Sequence, residues 1–372
     1  MFNPFVALPL LVCIYEILSM ILPLRISLTA KVLASLILLS GLAKIFLLHR
    51  TPTGFDMYEL NYYLTLAFTV IFNFIVIAVF LLLIKDCVQV FCRLILRKPF
   101  PNYYASLFVF SISLCATLYG TYDGLKQPQI KTHEVIINNL GREFDNFRIA
   151  MLVDIHADQL TNREFVQELV NRTNALNPDL ILMPGDFVDG QVITRRADLE
   201  PLKDLRAKFG VYGTTGNHEY YFDFEGWQEE FKRLDIRMLN NEHFIITSGD
   251  SRLIIAGVPD QTGANHNTAQ AVKDAPENVP VILMDHRPSE ARENSQYKNI
   301  ALQLSGHTHG GQMPIIYSLV KRFNRGFVRG WYDVNNMKLF VSPGTSQWNG
   351  FACRIFDPSE ISLLILKSEA KP

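Results

Sequence analysis

Four long apolar runs, roughly residues 5–23, 28–48, 60–84 and 105–121, occupy the first third of the chain, and a different pattern follows them. A bilayer core about 30 Å thick is crossed by about 20 apolar residues of helix, so these runs predict about four membrane-spanning helices. The first run is longer than the apolar core of a signal peptide and has no small-x-small cleavage site, which predicts that it is retained. Between the third and fourth runs, residues 87–100 mix basic and apolar positions at near-helical spacing, the pattern of a helix lying in the headgroup plane.

From about residue 146, short β-type runs alternate with amphipathic helical ones. Strands are expected at 148–154, 179–186, 210–217, 251–258, 279–286 and 300–307, with helices at 161–175, 197–209 and 224–235. Asn335-Asn336 separates two later β-type runs. Asparagine tolerates positive φ, so a two-residue hairpin is expected there, with a last strand at 361–367. Alternation first and hairpins later predict an α/β sandwich of two mixed sheets. The expected domains are a transmembrane region over 1–125, a linker with a leading strand over 126–144, and a water-soluble domain over 145–372.

Composition supports that division. Of 372 residues, 49% are apolar and only 19% charged, and the charges thicken only beyond about residue 125; soluble domains carry about 25%. A net charge of −1 gives no general pull toward nucleic acid, and there is no long basic track, so no polymeric nucleic acid is expected as a partner. Of the five cysteines, only Cys353 falls in the soluble part, so no disulfide is expected within it. Cys87 and Cys92 are either lipidated or, the commoner case, buried thiols. Inside the runs, Glu16 is expected to pair with Lys31 of the neighbouring helix, against the alternative of a functional intramembrane carboxylate. Lys44 is expected to snorkel. The short loops hold Arg25, Lys31, Lys85, Arg93, Arg97 and Lys98 on one side, and Lys44, Arg50, Lys126 and Lys131 on the other. That excess puts the C-terminal domain outside the cytoplasm, provided the fourth run spans.

Candidate chemistry gathers at the carboxyl ends of the expected strands, where open α/β sheets place their ligands. The chain presents Asp154-Ile155-His156, then Gly185-Asp186-Phe187-Val188-Asp189, then Gly216-Asn217-His218-Glu219, then His286, then Gly306-His307-Thr308-His309. Any one fragment is weak: DxH alone is usually a loop or a satisfied core pair, and GDxxD is usually a turn. Five in this order, each closing a separate strand, predict a metal site. Gly185, Gly216 and Gly306 are expected to permit tight turns. The mixed nitrogen and oxygen donors suit Mn, Fe, Zn or Ni, and the lack of cysteine among them excludes a thiolate zinc site.

The series resembles the calcineurin-like metallophosphoesterase superfamily, whose pattern is DxH, GDxxD, GNH[DE], a lone His and GHxH, and this chain matches every element. LSGHTHGGQ (304–312) and VSPGTS (341–346) look like its membrane-associated bacterial branch. The resemblance covers about residues 145–372 and implies a four-layer αββα sandwich binding two divalent ions. It implies Asp154, His156, Asp186 and His309 around one ion, and Asp186, Asn217, His286 and His307 around the other, with Asp186 bridging. The expected mechanism is in-line attack of a metal-bound hydroxide on phosphorus. His218 would protonate the leaving alkoxide. Glu219 either orients His218 or faces solvent, and Asp189 is expected to hold its turn by a side-chain to backbone bond. His133, His243 and His266 are expected to be surface or packing residues.

For the substrate, Arg287 either reaches a phosphate or pairs with a nearby acid. Residues 315–332 interleave Lys321, Arg322, Arg325 and Arg329 with aromatic residues. They form either a lipid-touching rim, with Arg322 and Arg325 on phosphate, or an ordinary excursion. The expected function is hydrolysis of a phosphomonoester or phosphodiester at the membrane bilayer, on a lipid or lipid-linked precursor. The alternatives are a nucleotide phosphodiesterase acting on soluble substrates, and a transport or scaffold protein with a silent phosphoesterase domain.

Overall fold

A computed structural model describes residues 4–369 apart from 52–53, 58, 264 and 349–350. The chain divides into two compact units: a helical one with Met1–His49, Met57–Gly124 and Gly350–Ile355, and a second with Arg50–Asp56, Leu125–Asn349 and Phe356–Pro372.

In the helical unit, α1 (Pro4–Glu16) runs into a π-helical turn at Ile17–Ile21, and α2 spans Leu28–Ser40. Helix α3 spans Tyr62–Leu94 and α4 spans Asn102–Leu125. Three helical stretches, Leu28–Ile45, Tyr62–Leu94 and Asn102–Leu125, are long and apolar enough to cross a membrane; the first apolar run, Ala7–Ile21, is shorter. The stretch expected to lie in the headgroup plane instead continues α3 as far as Leu94. The charges just ahead of that stretch are accommodated within the helix, for Lys85 Nζ donates to Ser19 O (2.5 Å) and Asp86 accepts from Tyr15 and Ser19. The Glu16–Lys31 pair is absent: Lys31 Nζ donates to Leu22 O, and the buried Glu16 carboxylate has no hydrogen-bond partner among the described residues. Lys44 does not simply snorkel, since its Nζ donates to Thr69 Oγ1 of α3 (2.8 Å). Cys87 is exposed and Cys92 half-buried, so the buried-thiol expectation fails for both. Residues 351–355 also pack in this unit. Asn73 of α3 donates to Ala352 O (2.7 Å), Arg354 N donates to Gly120 O (2.9 Å), and Cys353 and Arg354 are fully buried.

The second unit is a sandwich of two six-stranded mixed sheets. Its strands are β1 (Gln129–Ile137), β2 (Arg148–Met151), β3 (Leu180–Pro184), β4 (Val211–Thr214), β5 (Arg237–Met238), β6 (Glu242–Ser248), β7 (Ser251–Gly257), β8 (Val281–Met284), β9 (Ile300–Ser305), β10 (Gly330–Val334), β11 (Met337–Val341) and β12 (Glu360–Ser368). The first sheet has the order β1-β12-β2-β3-β4-β5, the second β10-β11-β9-β8-β7-β6. Strands β2 to β5 run parallel, as do β7, β8, β9 and β11; β12 is antiparallel to β2. The hairpin turns at Asn335-Asn336, with Val334 opposite Met337 and Asn335 at φ 53°.

Alternation along the strands builds the layers. Ile149, Met151, Leu180 and Leu182 meet Ile255, Ile282, Met284 and Leu304 in the core between the sheets. Ala150, Leu152, Ile181 and Met183 face the other way, under α5 (Arg163–Ala175) and α8 (Phe224–Arg233) with its Trp227 and Phe231. On the second sheet, Ile254, Val281, Leu283 and Leu339 pack beneath short helical turns carrying Ala271 and Ala291. Both sheets are therefore covered on both faces, which is the four-layer arrangement. The helix expected at 197–209 instead begins earlier, as α6 (Val192–Leu199), and passes into a 3-10 turn at Glu200–Asp204 containing Pro201.

Candidate metal centre

Each ligand candidate leaves a strand where the backbone must turn sharply. Asp154 and His156 follow β2, Asp186 follows β3, His286 follows β8, and His307 and His309 follow β9. After β4, Asn217 opens a short helix, α7 (Asn217–Tyr221), so the expected strand ends earlier than its pattern implied. Asp154, His156, Asp186, His307 and His309 all have φ between 45° and 72°. Non-glycine residues seldom adopt this left-handed conformation, and five of them converging on one centre mark a place where the surrounding structure over-determines the backbone.

Of the three glycines, only Gly185 has a positive φ, 95°, and a Cβ there would lie 2.4 Å from Gly216 N. Gly216 serves close approach instead: a Cβ on it would meet Asp186 Oδ1 at 2.1 Å.

These turns bring together two groups of metal-ligating atoms, Asp154/His156/His309 and Asp186/His286/His307, each within 4.8 Å. Asp186 Oδ2 lies between them, 3.5 Å from His156 Nε2 and 3.1 Å from His286 Nε2. His156 Nε2 and His309 Nε2 are 3.1 Å apart, a spacing two imidazoles adopt on one ion at about 2.1 Å each. Asn217 Oδ1 is buried with no hydrogen-bond donor among the described residues, as a ligand oxygen would be. The residues present thus fit two ions sharing Asp186.

Further contacts aim these donors. His286 Nδ1 donates to Pro184 O (2.8 Å) and His156 Nδ1 to Asp189 Oδ1 (3.1 Å), which leaves each Nε2 for a metal. His307 N donates to both Asp154 oxygens (3.0 and 3.1 Å), and Thr345 of the VSPGTS segment accepts from Val153 N through Oγ1 (2.9 Å).

Asp189 does more than hold its turn. The same Oδ1 also accepts from His218 Nδ1 (2.5 Å), so one carboxylate oxygen orients both a ligand and the acid candidate. Glu219 fits neither expected alternative. Fully buried, it accepts from Gly216 N (2.7 Å), Asp186 N (3.1 Å) and Phe187 N (2.7 Å), tying two ligand loops together. Their partners lie about 30 residues away, and the only signal in the sequence was the motif spacing.

The electrostatics follow from burial. It depresses His156 and His286, but Asp189 acting on the first and Asp186 on the second reverse the effect, lifting them to about 9 and about 10. Burial likewise depresses His218, and Asp189 with Asp186 more than compensates, so its imidazole sits above the ordinary histidine range. Burial and the neighbouring positive charges of His286 and Arg287 push His307 down to about 3.

Arg287 pairs with an acid: its Nε donates to Asp260 Oδ2 (2.7 Å), and Nη2 to Asp260 Oδ1 (3.1 Å) and Thr262 Oγ1 (3.0 Å). Arg325 is held by Glu293 (2.6 Å), whereas Arg322 is exposed. His133 donates to Glu360 and His243 to Ala271 O, as packing residues do, while His266 donates to Asp285 beside the ligand His286.

Residues 147–311 match the family model for calcineurin-like phosphoesterases. An uncharacterized metallophosphoesterase of Campylobacter jejuni is 33% identical over 74% of this chain and 72% of its own length. A transmembrane protein with a metallophosphoesterase domain from Danio rerio is 32% identical over 69% of this chain, which spans 61% of that relative's length. Among solved structures, Haemophilus influenzae NAD nucleotidase aligns with TM-score 0.37 and 18% identity over 54% of this chain and 50% of that one. With its full motif series folded into one centre and a third of the aligned residues identical along most of the bacterial relative, this chain belongs to the calcineurin-like metallophosphoesterase family.

Proposed function

We propose that this chain is an integral membrane enzyme that hydrolyses a phosphomonoester or phosphodiester with two divalent ions, its substrate a lipid or lipid-linked precursor at the bilayer. The observation that carries the two-ion hydrolysis is the position of Asp186 Oδ2 between the two donor groups, and the three helices long and apolar enough to cross a membrane support the bilayer setting. A shared carboxylate relieves the repulsion between neighbouring cations. When bound, two ions of the Mn, Fe, Zn or Ni type activate a water and offset charge developing on the phosphoryl oxygens.

The chain's own residues supply the rest. Asp154 and Asp186 are the only carboxylates among the proposed ligands, so the loaded centre stays positive and attracts phosphate. His218, with Nδ1 anchored on Asp189, keeps a proton at Nε2 to hand to the departing oxygen. Arg287, fixed through Nε and Nη2, keeps Nη1 without a partner among the described residues, available to a phosphate oxygen. Sidedness is supported by the basic stretch Arg93, Arg97 and Lys98 ahead of α4: with α4 crossing, the catalytic unit lies outside the cytoplasm.

The test uses the full-length protein in lipid nanodiscs, loaded with each metal in turn. It is offered bis-p-nitrophenyl phosphate, a phospholipid and a nucleotide diester. Metal-dependent turnover that Asp186→Asn abolishes is expected, with the lipid preferred. No turnover with any metal would overturn the proposal in favour of a silent domain, and preference for the nucleotide would move the substrate to the soluble class.

A further inference from the structure

Helix α9 (Pro314–Phe323) follows shortly after the ligand His309 and turns apolar side chains outward. Ile315, Leu319 and Phe323 recur every four residues, so they line one face, and they are 41%, 55% and 74% exposed. The adjoining face is seated: Ile316, Tyr317 and Val320 are half-buried, and a Cβ on Gly311 would lie 2.9 Å from Tyr317 Cδ2. The helix is therefore fixed against the turn that carries His309, and its exposed stripe is not a fraying end.

Two cations accompany the stripe. By helical spacing Arg322 shares the face of Ile315 and Leu319, and the long Lys321 side chain stands about a quarter turn round from Arg322. Both are exposed, and neither forms an ion pair among the described residues. Just beyond the helix, by contrast, Arg325 is paired with Glu293 and Arg329 with Asp357. Three exposed apolar side chains beside two unneutralised basic ones on one short helix match an anionic lipid interface: the rings and branches enter the acyl boundary while the long basic stems reach phosphate. A two-fold contact between copies would set these cations against each other. The same chain carries three helices long and apolar enough to cross a bilayer.

We propose that α9 docks in the headgroup plane of an anionic bilayer, with Ile315, Leu319 and Phe323 in the lipid and Arg322 and Lys321 on its phosphates. The metal centre is thereby presented to phosphoesters carried by lipids of that bilayer. The substrate clause rests on the hydrolase assignment above; the docking clause does not.

Two measurements on the full-length protein in nanodiscs of phosphatidylcholine with phosphatidylglycerol test it. In the first, Leu319 is replaced by a diazirine-bearing amino acid and irradiated. A phospholipid adduct is expected; no lipid adduct, or a crosslink to a second copy or another protein instead, overturns docking. In the second, Leu319→Ser with Phe323→Ser is assayed on a lipid-borne and a water-soluble phosphodiester. The ratio of lipid-borne to soluble turnover should fall at least about tenfold, the scale set by losing a buried apolar side chain. An unchanged ratio removes the substrate clause. A lipid adduct without turnover on any phosphodiester leaves docking standing and removes the hydrolase assignment instead.

Discussion

Replacing Asp189 with Asn keeps the shape of the side chain and removes its charge. One oxygen, Oδ1, receives His156 Nδ1 at 3.1 Å and His218 Nδ1 at 2.5 Å, so two effects should appear together. A hydrogen bond to a charged group contributes about 1.5–3 kcal/mol, so loosening each contact costs about 10- to 150-fold. On the ligand side, loss of a carboxylate behind a metal-binding histidine weakens metal affinity about 10- to 100-fold. On the acid side, turnover of an alkyl phosphodiester should drop about 10²- to 10³-fold, because its alkoxide cannot leave without a proton. A p-nitrophenyl ester, whose leaving group needs none, should lose far less at saturating metal. Asp189 also holds the His218 pKa up, so its removal should move the alkaline limb of the kcat profile to lower pH. The assay compares kcat on both esters across pH, with metal saturation checked at each point. Equal losses on the two leaving groups would refute the positioning of His218 by Asp189.

Two further outcomes are expected. With His156 and His286 raised to about 9 and about 10, both are protonated in the metal-free centre at neutral pH, so metal binding must displace protons and its affinity must climb with pH toward that range. Calorimetry in buffers of different ionisation enthalpy should record proton release at pH 7, and none would contradict the assignment of these side chains as ligands. On β12, burial pushes Glu360 up, but hydrogen bonds from His133 and Ser362 win and hold it below its ordinary value. Its stabilisation is therefore present above about pH 4.5 and lost as pH falls through the lower folded value. Glu360→Gln should cost about 1–3 kcal/mol at pH 7 and flatten the acid limb of a stability profile followed by denaturant unfolding. An unaltered acid limb would rule the pair out.

The ligand set was legible because every donor sits within a few residues of a strand exit, where local motif and fold coincide. What stayed hidden depended on distance along the chain. Glu219 and Asp189 act on groups about 30 residues away, and nothing local separates a buried Glu from a solvated one. Strand β6, EHFIITS, has a largely exposed or half-buried surface and so carried no strong apolar period. Helix α3 outran its expected end because Lys85 and Asp86 find partners on Ser19 and Tyr15, removing the penalty that seemed to stop it. Cys353 reads as part of the soluble domain by position alone, yet it packs with the helices.

That last placement matters for anyone handling the protein. A fragment cut after residue 125 would keep residues 351–355 and discard what they rest on. Gone would be the Asn73 amide that caps Ala352 O, the Gly120 carbonyl that receives Arg354 N, and the gap at Gly120, where a Cβ would stand 2.4 Å from Cys353 Sγ. The exposed Phe351–Arg354 stretch would then seek detergent, aggregates or a neighbour. The catalytic half is better purified with its helices than trimmed from them.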